Sequence, residues 1–158
     1  ILKTKLAAYL NDSGGLYDYV LIDCPPSLSL LTVMALVSSN SLLVPLQTEF
    51  FALEGITQLV KTIDRIKENL NPSLKIRGIL LTMFDKRNKL SSQVDIEARN
   101  YFKDKVYNNV IPRNVRLSEA PSHGLPCVMY DKNCSGSKSY FALAKEFMSQ
   151  QAKLGSAA

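Results

Sequence analysis

Asp23 is the residue whose surroundings most suggest chemistry. It closes the apolar run Tyr19-Val20-Leu21-Ile22 and is followed by Cys24 and the rigid pair Pro25-Pro26. In a parallel α/β sheet, ligands bind beyond the carboxyl ends of the strands. A carboxylate there suits Mg2+, which takes one or two acids together with phosphate oxygens and water. The same residue type also caps turns through its side-chain oxygen, and a strand plus an acid supports either role. The three cysteines, Cys24, Cys127 and Cys134, form no CxxC pair, and His123 is the single histidine. That pattern fits reduced thiols rather than an ordinary zinc site. Gly136-Ser137-Lys138-Ser139 is the nearest piece to a phosphate loop, but Asp131 stands where the first glycine belongs. It reads as a capped helix start.

The elements that must position these residues alternate. Leu2, Leu6 and Leu10 sit four apart and predict a short helix that ends before Asn11-Asp12-Ser13-Gly14-Gly15. Tyr19 to Ile22 predicts a strand buried on both faces, since it is continuously apolar and too short for a helix. A helix is expected from about Leu28 to Ser38, then a second strand over Ser41 to Pro45. Ile56, Leu59, Val60, Ile63 and Leu70 recur at helical steps across 52–70, a segment that Asn71-Pro72 ends. Ile76 to Thr82 predicts a third strand, 94–102 a helix, and Val106 to Ile111 a fourth strand ending at Pro112. Ser137 to Gln151 has a helical apolar face in Tyr140, Ala144, Phe147 and Met148, and Gly155-Ser156-Ala157-Ala158 reads as a frayed end. Strand and helix in alternation predict an α/β fold, a mainly parallel sheet with helices on both faces. The 158 residues fit one layered domain.

Composition agrees. The chain is 46% hydrophobic and 21% charged, which excludes disordered, collagen-like and coiled-coil classes. No apolar run approaches the ~20 residues of a membrane span, and the first residues lack the layout of a secretory signal. The net charge of +5 is compatible with a polyanionic partner without requiring one.

Longer strings narrow the function. Asp23-Cys24-Pro25-Pro26-Ser27-Leu28 resembles the Walker B and switch II segment of the ParA/MinD-type deviant-Walker ATPases. Pro45 to Gly55 is similar to the segment after the next strand in the chromosomal ParA (Soj-like) branch, and Leu81-Thr82-Met83-Phe84-Asp85 to its adenine-side strand end. Ile111 to Gly124, reading IPRNVRLSEAPSHG, resembles a specific stretch of that branch. The resemblance runs from about residue 16 to 150.

It implies a P-loop NTPase-like fold, with 1–158 the C-terminal portion of one ParA-type ATPase domain, incomplete at the N-terminus. The family's phosphate loop and switch I aspartate lie upstream of the Walker B strand, and no GxxxxGK[ST] occurs here. The chain, which lacks an initial methionine, is therefore expected to be either a piece of a longer protein or a degenerate product. Phosphoryl transfer rests on positioning and on electrostatic stabilisation of phosphate, so these residues alone are not expected to hydrolyse ATP. Tyr19 to Ile22 would also lose a sheet neighbour, and the chain alone is expected to fold poorly or to self-associate through that edge.

Residue by residue, the resemblance implies that Asp23 is catalytic, holding Mg2+ through water. It sets Met83, Pro112, Asn114 and Glu49 around ATP. Met83 also suits ordinary core packing, and Glu49 the acid of a helix first turn. Arg87 and Arg116 match positions that contact DNA, and the guanidinium fork suits phosphate; a solvated charged face is the alternative. Without interleaved aromatic residues, duplex phosphates are the expected target, read without sequence preference.

The expected partners are a second copy in an ATP-dependent homodimer, non-specific double-stranded DNA and a ParB-type protein. The expected location is cytoplasmic and nucleoid-associated. A MinD-like membrane-recruited regulator is the alternative, disfavoured because Ser139 to Lys153 offers only Lys145 and Lys153 as a basic face. A non-catalytic interaction protein is the third reading, should the natural product lack the phosphate loop.

Overall fold

The computed structural model describes residues 2–25 and 29–155. Pro26, Ser27 and Leu28 of the Asp23 motif, and Ser156 to Ala158 of the expected frayed end, lie outside the described residues. The elements in order are α1 (Leu2–Asp12), α2 (Leu30–Ser38), β1 (Ser41–Gln47), α3 (Ala52–Asn69), β2 (Lys75–Thr82), α4 (Lys89–Phe102), α5 (Val115–Glu119), α6 (Cys127–Tyr130) and α7 (Ser135–Gly155). Single 3-10 turns occupy Lys103–Lys105 and Ala120–His123. β1 and β2 pair side by side, joined through α3. The Lys75 N–H donates to Asn40 near the strand starts, and the Thr48 N–H to Thr82 near their ends, so the pair is parallel.

The chain forms two compact units. One comprises Ile1–Leu42 with Thr57–Ile76, the other Leu43–Ile56 with Arg77–Ala158. In the first unit, Leu36, Ile63, Ile66 and Leu74 form the core, with Val37, Leu42, Leu59 and Ile76 packed around them. The helical spacing of Leu59, Ile63 and Ile66 on α3 delivers this face. Asn71, buried beyond the end of α3, donates its amide to the carbonyls of Leu36 and Ser39, closing orphan acceptors at the end of α2. Ser29 caps the start of α2 by accepting from the Thr32 N–H.

The second unit is built on Leu80, Tyr107, Ile111 and Leu143, with Leu43, Leu117 and Phe147 against them. Gly78 is required there. A Cβ at that position would stand 2.4 Å from the Tyr107 ring, so only glycine lets the ring lie against β2.

Two expected strands do not form as such. Tyr19 to Ile22 is irregular, and Leu21 is 89% exposed rather than buried on both faces. A strand exists only as a member of a ladder, and the sheet of the described residues contains β1 and β2 alone. Val106 to Ile111 does run parallel to β2, but as two isolated bridges, Ile79 with Val106 and Phe84 with Pro112. The Tyr107 N–H donates to Ile79 and the Ile111 N–H to Leu81. Four residues on one side thus span two on the other, so two residues loop out of register. They are Asn108 and Asn109, whose backbone N–H groups donate to the Glu146 carboxylate on α7 at 2.7 and 3.0 Å. A carboxylate has replaced the ladder there.

Candidate functional site

The second unit holds an open cleft of about 570 Å3 beyond the end of β2. Phe84, Val110, Pro112 and Val115 give it apolar walls, and Asp85, Lys86, Arg87, Arg113, Asn114, Ser135 and Ser139 supply polar groups. Its position follows from parallel pairing. The Phe84 N–H donates to Ile111 and the Arg113 N–H to Phe84, so residues 111 and 113 direct their donors at β2 while residue 112 directs nothing there. Proline, which has no N–H, costs the pairing nothing at that place. Asn114 follows in extended backbone and caps α5, its side-chain oxygen accepting from the Arg116 N–H at 2.9 Å. Its amide donates to Ser135 Oγ at 2.8 Å, which ties the cleft wall to the first residue of α7.

Met83 takes the left-handed backbone region, φ 55°. A non-glycine residue in that region is uncommon and stores strain, a condition found where local geometry serves a site. Buried Thr48 and Ser91 support it. The Thr48 hydroxyl lies 3.3 Å from the carbonyl oxygens of both Thr82 and Met83, and 3.2 Å from the Ser91 hydroxyl. Neither residue stands out in the sequence, because a buried hydroxyl pair leaves no pattern in composition or spacing.

Charge around the cleft is internally balanced. Arg87, its side chain 90% exposed, grips Asp85 through two parallel bonds at 3.1 and 3.0 Å. The Arg87 side chain, helped by its backbone N–H, holds the Asp85 carboxyl down at about 2. Arg113 meets Glu49 at 3.3 Å, with both side chains more than half exposed. Arg116 pairs with Glu119 at 2.8 Å and approaches Asp131 at 3.6 Å, while the Tyr130 hydroxyl also donates to Glu119.

Of the residues singled out by sequence, Pro112, Asn114 and Arg87 meet at the cleft. Glu49 reaches it through Arg113. Met83 adjoins Phe84 in the chain but is not among the wall residues. Arg116 is the second residue of α5. Asp23 belongs to the first unit, exposed in irregular chain. Among the described residues, no three His, Cys, Asp or Glu side chains converge as metal ligands. Asp23 therefore fits Mg2+ only as a lone carboxylate acting through water, with phosphate and water completing the shell. The cleft has the size and mixed lining that a nucleotide base needs.

These features define a parallel α/β protein of the P-loop NTPase-like class. Among solved structures, cobyrinic acid a,c-diamide synthase from Mycobacterium smegmatis, with bound ATP analog and magnesium, is similar at 32% identity and TM-score 0.70, covering 88% of this chain and 49% of that one. The cell division ATPase MinD of Pyrococcus furiosus, at 24% identity and TM-score 0.72 over 94% of this chain and 57% of its own, shares the fold. A family profile described as an AAA domain matches residues 1–76.

Within that class the chain is a relative of the ParA/Soj chromosome-partitioning proteins. It is 57% identical over 139 residues to the chromosome partitioning protein ParA of Caulobacter vibrioides, covering 88% of this chain and 52% of that protein. It is 55% identical over 130 residues to the sporulation initiation inhibitor protein Soj of Bacillus subtilis, covering 82% and 51%. The chain thus spans about half the length of the curated relatives it matches.

Proposed function

We propose that this chain supplies the base-side and DNA-facing part of a ParA/Soj-type partition ATPase. The observation that carries the reading is the meeting of Phe84, Pro112 and Asn114 at one cleft, in a chain 57% identical to a chromosome-partitioning ParA. In this reading the apolar walls take the adenine ring, and Asn114 exchanges its Ser135 partner for an edge of the base. Asp23 is the carboxylate that would hold Mg2+ through water. Bound ATP with Mg2+ supplies the hydrolysable phosphoanhydride. The chain's residues hold the base, orient the metal's water shell and exclude competing purines by hydrogen bonding.

Arg87 and Arg116 are the DNA contacts in this account. Each is at present paired with acids at the surface, where such pairs contribute roughly 0–1 kcal/mol, so a phosphate can replace the carboxylate at little cost. A second copy of the protein covers the face that carries Glu49, Phe50 and Phe51. The two phenylalanines are 75% and 72% exposed and stack edge to face, which is unusual for a surface left to water. ATP-dependent dimerisation, nucleoid location and stimulation of hydrolysis by a ParB-type protein complete the proposal. No helix among the described residues is long and apolar enough to cross a membrane.

The test is duplex binding by a protein of full ParA/Soj length carrying this segment, measured with ATP across a range of salt. Replacing Arg87 or Arg116 by alanine is expected to weaken binding on every sequence, and to flatten the salt dependence by about one unit of slope per lost phosphate contact. An unchanged slope in both variants would remove the DNA assignment.

A further inference from the structure

Cys127 opens α6, and Cys134 directly precedes α7, a helix of 21 residues. The turn between them is closed by hydrogen bonds. The Asp131 N–H donates to the Cys127 carbonyl at 2.8 Å, and the Asp131 carboxylate accepts from the N–H groups of Asn133 and Cys134. Ser137, fully buried on the first turn of α7, reaches the carbonyls of both Cys127 and Asp131, at 3.0 and 2.7 Å. This frame leaves the two sulfurs 3.6 Å apart, in contact and about 1.5 Å short of a bond. We propose that Cys127 and Cys134 form a reversible intramolecular disulfide, a modification site for small hydroperoxides.

The two thiols are not equivalent. Cys134 is half-buried and stands where the N–H groups of a helix start converge, with the Ser137 N–H donating to its sulfur at 3.3 Å. Burial opposes ionisation there, but the hydroxyl and N–H of Ser137 outweigh it and hold the thiol below its usual range. Cys127 is buried. The Ser137 hydroxyl favours its ionised form, yet burial and the neighbouring Cys134 push the thiol up. Cys134 is therefore the attacking sulfur and Cys127 the resolving one.

The chemistry balances in two steps. The Cys134 thiolate attacks one peroxide oxygen; the S–O bond forms, the O–O bond breaks, and the departing hydroxide takes a proton to leave as water. The Cys127 sulfur then attacks Cys134; the S–S bond forms, the S–O bond breaks, and hydroxide leaves as water with the Cys127 proton. The pair loses two electrons and the peroxide gains them. A dithiol restores both cysteines by exchange. Closure is felt one residue away at Ser135, which accepts from Asn114 in the cleft wall.

The experiment uses the full chain with Cys24→Ser, which removes the exposed third thiol. Hydrogen peroxide is added, free thiols are alkylated and the chain is cut with trypsin. The expected product joins Leu117–Lys132 to Asn133–Lys138, lighter by two hydrogens, and a dithiol reverses it. The link should form about tenfold faster in the native chain than in concentrated urea, because the frame holds the sulfurs in reach. Adding Cys127→Ser should leave Cys134 as a sulfenic acid that dimedone traps. Equal rates in buffer and urea, or oxidation of Cys134 to the sulfinate without a link, would overturn the proposal.

Discussion

Residues 16–25 and 106–116 carry recognisable strings of the same family, yet they are ordered very differently. In the second stretch, backbone donors are assigned one by one. Tyr107 and Ile111 pair with β2, Asn108 and Asn109 with Glu146, and Arg113 with Phe84. The first stretch has the more strand-like composition, yet Tyr19, Val20 and Leu21 are about half exposed or more. β-Propensity and hydrophobicity specify a strand only when neighbours supply its ladder. A motif's identity is local, whereas its order is borrowed.

Hydrogen exchange offers the widest separation between the two. Amides of Ile111 and Arg113 should exchange on the order of a thousandfold more slowly than those of Leu21 and Ile22. Comparable rates would erase the contrast. The next effect concerns whether Asp23 gains its role from a larger protein. In a full-length ParA/Soj-type protein carrying this segment, Asp23→Ala should lower ATP turnover about 10–100-fold, as loss of an outer-shell metal carboxylate does. Undiminished turnover would leave Asp23 as a turn cap.

Glu146 tests the ordered side. Glu146→Ala removes the acceptor of two backbone donors and should cost about 1–3 kcal/mol in urea unfolding. Burial alone would raise the Glu146 carboxyl, but the Asn108 and Asn109 donors outweigh it and lower it. A lowered carboxyl contributes stability above its ordinary value and loses it as pH falls through the folded value. The difference between wild type and Glu146→Gln should therefore shrink on acidification. The smallest effect is spectroscopic. The Asp85 carboxyl should titrate near 2, and Arg87→Ala should return it toward 3.8. A midpoint that ignores the substitution would dissolve the Arg87–Asp85 pair.

Much of the architecture is legible in the sequence. Periodicity places α1, α3, β1, β2 and α7 within a few residues, but no residue of α1 is buried, and α7 turns Leu143 and Phe147 to the core while Tyr140, Ala144 and Met148 of its expected face are exposed. Helix α5 escapes notice, since five residues carry no period; Asn114 as its cap is the only signal. The fourth strand is predicted as regular because nothing in Asn108-Asn109 announces that a distant glutamate takes their donors. The cleft is reached through motif resemblance, not pattern. Its supports, Thr48 with Ser91 and Ser137 with the two cysteines, are buried polar contacts between residues far apart or in short turns, and are visible only in three dimensions.

In the proposed function the cleft beyond β2 holds the adenine ring. Photolabelling a full-length ParA/Soj-type protein carrying this segment with 2-azido-ATP, followed by tryptic mapping, tests that claim directly. Label on Gly78–Lys86 and Val106–Arg113, which carry Phe84 and Pro112, and lost with excess ATP, is the predicted result. Competable label confined to other peptides, with these two clean, would contradict it.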